Sequence, residues 1–169
     1  MLQKSVVTLA FFSLLAGPSL AQAESVGRNP MEGKWVLDKG KSPSGKFAPG
    51  HFVQEIKTNG NEVTIESKYD EPKSGIYPLF WVGLMTNKLT LKTDGSEVLN
   101  QVGPYALVSK TTLEGNRMAT QWTAKNDPGQ VDGEWIRTLS DDGREMTMEL
   151  KGKSSDGRTM DGKFVFVRR

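Results

Sequence analysis

The chain has 169 residues, a quarter of them charged, with a formal net charge of +2, one His and no Cys. Disulfides, zinc–thiolate sites and thiol nucleophiles are therefore excluded. Basic residues are scattered up to the terminal Arg168-Arg169 pair, so no phosphate-tracking surface is indicated and no nucleic-acid partner is expected.

The first element reads "MLQKSVVTLAFFSLLAGPSLAQAES". Lys4 precedes an apolar core from Val6 to Leu15, then a Gly17-Pro18 breaker and a small-residue ending, Ala21-Gln22-Ala23. This predicts a secretory signal peptide over 1–23, cleaved after Ala23, with an apolar core too short to span a bilayer. Residues 24–169 then form one domain, and loss of Lys4 lowers the net charge to +1. A domain of that size buries about two thirds of its unfolded surface, enough to stand without disulfides. No Cys follows for a lipid anchor and no N-x-[ST] site occurs. The expected location is periplasmic or secreted, in a bacterium, with no stable membrane anchor.

The next element, "EGKWVLD" from Glu32 to Asp38, reads as the first strand, followed by an irregular stretch, Lys39 to Gly50. His51 comes directly after it. Metal sites and Ser-His-Asp triads need several converging groups, so this lone histidine is read as a solvated residue at a strand start. In "EVTIES", Val63 and Ile65 alternate with Thr64 and Glu66, the period of a half-buried strand.

The run "GIYPLFWVGLM", Gly75 to Met85, breaks that pattern in a chain whose mean hydropathy is -0.47. Both faces are apolar from Ile76 to Met85, and Pro78 cannot donate to a central ladder. Two readings stand: a buried segment packed under the stretch from Lys39 to Gly50, or a portal flap in which Tyr77, Phe80 and Trp81 close a barrel mouth over an apolar ligand.

Alternation returns in "KLTLK" with Leu89 and Leu91, and in "EMTMELK" with Met146, Met148 and Leu150. The two methionines share that apolar face, so packing accounts for them without a copper ion. Between these strands, Met118, Thr120, Trp122 and Ala124 share one face, a large aromatic among small residues that suits either a cavity wall or a tight core. Trp135, Arg137 and Leu139 share another. If that face is inward, Arg137 is a cation inside the domain and needs a carboxylate; if Ile136 points inward instead, Arg137 lies on the surface.

Turn chemistry punctuates the chain at Asn59, Asp94, Glu114, Asp127, Asp141 and Ser155, each with a Gly one or two residues on. Each is a hairpin signal, since Gly supplies positive φ and Asn or Asp tolerates it. Six such turns imply at least seven strands. Strands joined in sequence by short turns predict an all-β, antiparallel up-and-down β-barrel of about 8–10 strands, because closure removes exposed edges.

Gly33-Lys34-Trp35 at the head of the first strand resembles the G-x-W signature of the lipocalin/calycin superfamily, which includes the fatty-acid-binding barrels. The ending "KFVFVRR" places an Arg where that superfamily has one. "LKTDGSEVLNQVG" from Leu91 and "RTLSDDGREMTMELKG" from Arg137 are similar to secreted bacterial lipocalin-like domains. The superfamily's second and third motifs and its C-terminal helix are not recognisable. The resemblance implies that Gly33 and Trp35 form the barrel floor with Arg168 or Arg169 packed across the indole. It also implies that an interior Arg137 holds a ligand carboxylate.

The resulting expectation is a lipocalin-like barrel, non-enzymatic, that binds a small apolar or amphipathic ligand near Tyr77, Phe80, Trp81, Trp122, Trp135 and Arg137. No catalytic residue, metal or cofactor is assigned. The alternatives are a filled barrel acting as an envelope or interaction module, and a cofactor-free enzyme using carboxylates and Tyr. An open interior would favour the first reading over both.

Overall fold

The computed structural model describes residues 29–42, 50–70, 88–126 and 129–169. The expected signal peptide and the run holding Tyr77, Phe80 and Trp81 lie outside the described residues. Ten strands are present and, among the described residues, no helix: β1 (Gly33–Leu37), β2 (Phe52–Asn59), β3 (Glu62–Tyr69), β4 (Lys88–Lys92), β5 (Asp94–Val102), β6 (Tyr105–Glu114), β7 (Arg117–Asn126), β8 (Gly129–Leu139), β9 (Glu145–Ser154) and β10 (Thr159–Arg168).

They form one antiparallel sheet in the order β4-β3-β2-β1-β10-β9-β8-β7-β6-β5. Each strand pairs with its sequence neighbour except β4 with β5, β1 pairs with β10, and the sheet curls into a nearly closed barrel. The period-2 alternation of the sequence reappears as burial: Val63, Ile65, Leu89, Leu91, Met146, Met148 and Leu150 all point inward. Phe52, buried on β2, meets Phe166 and Tyr69 edge-on, with centroids 5.3 and 6.2 Å away.

Closure is incomplete at one place. Asp94-Gly95 turns the chain, with Gly95 at φ 81°, but no ladder joins β4 to β5, so the hairpin expected there is not formed. A bulge between Asp94 and Glu97 bends β5 away instead. One side chain spans the two edges higher up: Asn100 accepts from Thr90 N–H at 2.8 Å and donates to Thr90 C=O at 2.9 Å. Its amide does for one residue what a neighbouring strand would do.

The two barrel ends differ. At one, tight turns carry positive-φ glycines at Gly60, Gly115 and Gly143, and residues 29–32 cross beneath the first strand. At the other, β1 and β3 end and β2 and β4 begin.

The first end is closed by Trp35, which has no exposed surface and donates from Nε1 to Met31 C=O at 2.7 Å. The cation across its indole is Arg168, 4.5 Å from the ring centroid, rather than Arg169. Gly33, at φ 138°, holds a backbone conformation that residues with a side chain rarely adopt.

Candidate functional site

The inner wall of β6 to β9 carries the unusual chemistry. Successive inward positions of β8, from the Trp35 end towards the opposite rim, are Leu139, Arg137, Trp135, Gly133 and Val131, spaced about 7 Å apart along the strand. Both flanking strands present their inward residues in register. Arg137 stands between Met118 on β7 and Met148 on β9, Trp135 between Thr120 and Leu150, and Gly133 between Trp122 and Gly152.

Arg137 points inward, so the register left open by the sequence falls on the interior side, with only 1% of the residue exposed. Both lateral neighbours are apolar methionines without exposed surface. Its Nε and Nη1 have no hydrogen-bond partner among the described residues. Burial alone pushes the guanidinium pKa down to about 10, with no carboxylate opposing the shift. The group is still a cation at neutral pH, held in a low-dielectric wall without a counter-charge among the described residues. Such a charge costs several kcal/mol if nothing pairs with it.

Above it, Trp135 and Trp122 stack with ring centroids 5.0 Å apart and planes 28° from parallel. Gly133 makes that stack possible. A Cβ at this position would sit 2.3 Å from Trp122 Cζ2 and 2.6 Å from the carbonyl oxygen of Lys151, so only glycine lets the indole lie flat against β8. Both indole N–H groups are buried and unpartnered among the described residues. Beside the stack, the Thr111 and Thr120 hydroxyls bond each other at 2.9 Å.

The facing wall contributes one polar group. Gln54 on β2 lies five strands from β7 in either direction round the barrel. It donates to Ser67 Oγ at 3.3 Å, while its Oε1, buried, has no partner among the described residues. Gln54 was not singled out from the sequence, although its place between Phe52 and Ile56 in an alternating strand marks it as a polar residue on an inward face. Gly133 was missed too, and a glycine in mid-strand was its signal.

A groove of about 500 Å³ is lined by residues of β5 to β8. Its lining includes Glu97, Lys110, Gln121, Asp132 and Glu134, whose side chains alternate with the inward ones and face solvent, and it meets the wall behind Trp122 and Gly133. Trp35, Trp135, Met118, Met146 and Met148 have no exposed surface. His51 is exposed immediately before β2.

The sequence matches no family model and no curated protein. By structure the chain is similar to lipid binding protein 8 of Caenorhabditis elegans (TM-score 0.57, 12% identity, 86% of this chain and 99% of that one). It is also similar to the REP1-NXSQ fatty acid transporter (0.52, 17%, 82% and 96%). A third similar structure is secretory abundant heat soluble protein 4 of Ramazzottius varieornatus (0.50, 14%, 84% and 96%). At these identities the likeness is one of fold: a ten-stranded calycin-like barrel.

Proposed function

We propose that this protein carries a small amphipathic acid inside its barrel, outside the cytoplasm. The observation behind this reading is Arg137, a buried cation with no counter-charge among the described residues. A ligand carboxylate is the group that would pair with it, through charge-assisted hydrogen bonds to Nε and Nη1. The ligand's apolar body would then run past Trp135 and Trp122 towards the rim where β2 and β4 begin. Two proteins of the same fold are named for binding lipid and transporting fatty acid, which supports the class of ligand. The extracytoplasmic location rests on the signal-peptide pattern that ends at Ala21-Gln22-Ala23.

A second reading, a filled barrel acting through its outer surface, is favoured by the close packing of Met118, Met146, Met148 and Trp135. Native mass spectrometry of protein from the periplasmic fraction decides between the two. The carrier reading expects a mature chain starting at Glu24 with a co-purifying acid, and hexadecanoate binding that Arg137→Leu weakens while a neutral alcohol of equal length is little affected. A protein that stays ligand-free and takes up neither would leave the filled barrel.

A further inference from the structure

A plain alkyl acid answers only one of the needs of this interior. Its carboxylate would satisfy Arg137, and its chain would then pass two buried indole N–H donors and one buried amide oxygen with nothing to offer them. Trp135 is one inward step along β8 from the guanidinium and Trp122 one step further, while Gln54 Oε1 belongs to the facing wall.

Packing does not demand these atoms. Phe at 122 and 135 would stack and fill space without bringing an N–H into the core, and buried Trp N–H groups ordinarily find an acceptor. An orphaned buried donor or acceptor costs about 1–3 kcal/mol. Thr111 and Thr120 bond each other and Ser67 takes the Gln54 amide, and neither indole N–H nor Gln54 Oε1 has a partner among the described residues.

We infer that the ligand is an acid with a hydroxyl part of the way along its chain, so that Arg137 holds the carboxylate while the Trp122 and Trp135 N–H groups and Gln54 Oε1 address the hydroxyl. A hydroxyl oxygen accepts from an indole and its proton is free to be donated to Oε1. A ketone would leave the glutamine oxygen unanswered, and an amine would compete with indole donors for acceptors. The spacing of inward positions, about 7 Å per step, puts the hydroxyl several carbons from the carboxylate rather than beside it. This inference rests on the carrier reading and narrows its ligand.

The test is a calorimetric comparison of hexadecanoic acid with a mid-chain hydroxyhexadecanoic acid. The parent protein is expected to bind the hydroxy acid about tenfold more tightly, the net worth of one or two hydrogen bonds. The double variant Trp122→Phe, Trp135→Phe keeps the rings and is expected to bind the two acids with equal affinity. Gln54→Leu is expected to lower the preference on its own. Equal affinity of the parent for the two acids overturns the inference, leaving the indole donors to ordered water, while the carrier reading survives. A preference that persists in the double Phe variant also overturns it. Failure of the parent to bind either acid defeats the carrier reading itself.

Discussion

Arg168 holds its guanidinium 4.5 Å from the Trp35 ring centroid while donating to three carbonyls: Gly143 at 2.8 Å, Glu32 at 2.9 Å and Pro30 at 2.6 Å. The first and last strands of the barrel and the segment beneath them are tied through one cation. Trp35→Ala is expected to cost about 3–5 kcal/mol, since a fully buried indole leaves a cavity under the floor. Arg168→Ala should cost about 1–2 kcal/mol from the lost cation-π contact and hydrogen bonds at an exposed site. Urea denaturation of the two variants measures both, and a midpoint unchanged in Trp35→Ala would remove the floor assignment.

Gly133 and Trp122 make a second close pair. Gly133→Ala places a methyl where the indole lies, so the ring must lift from β8 and leave its stack with Trp135. Overpacking of this kind costs about 1–3 kcal/mol. The near-ultraviolet circular dichroism of the stacked indoles should collapse while the far-ultraviolet strand signal stays. An unchanged near-ultraviolet spectrum would contradict the packing described.

Arg137→Met should separate stability from binding. Replacing a buried, unpaired cation by an apolar side chain of similar length, next to two methionines, is expected to raise ligand-free stability by about 1–4 kcal/mol. Acid binding should be lost in the same variant.

The same site has a pH signature. The folded pKa of about 10 lies below the ordinary arginine value, so the unfolded chain holds this proton more tightly. Below about pH 10 the penalty is fully present; as pH climbs above that value the folded state releases the proton first and the penalty is relieved. The stability gap between Arg137→Met and the parent should therefore narrow from roughly pH 9 to roughly pH 11. Lysines and tyrosines titrate in both proteins and cancel in the difference. A gap that stays constant or widens would place Arg137 in a solvated setting.

Asn100 is expected to control the seam between β4 and β5. Asn100→Leu removes both bonds to Thr90, and the Thr90 amide should lose most of its protection from hydrogen exchange while amides of the β8–β9 ladder keep theirs. Global stability should fall by about 1–3 kcal/mol, the cost of leaving backbone groups of Thr90 unpaired. Equal loss of protection in both regions would mean that the seam is not an independent unit.

The all-β class, the barrel and the inward faces of β3, β4 and β9 were legible in the sequence, because alternation of apolar and polar residues is a local pattern and Gly with Asn or Asp marks turns locally. Trp35 was legible as a floor residue through a short motif at the head of the first strand. The chain alone did not decide between Arg168 and Arg169 as its partner. That choice depends on the register of β1 against β10, a pairing across 133 residues of sequence separation between Trp35 and Arg168.

The direction of Arg137 was equally open locally, since Ile136 offered an apolar residue for the opposite face; the ladders with Met118 and Met148 decide it. The seam was read wrongly for a related reason. Asp94-Gly95 carries turn chemistry, but whether the strands after a turn pair depends on the curvature of the whole sheet. The stack over Gly133, the facing Gln54 and the unanswered donors exist only once β2, β7 and β8 surround one interior. Alternation tells which residues face inward, and tertiary structure alone tells what each of them meets there.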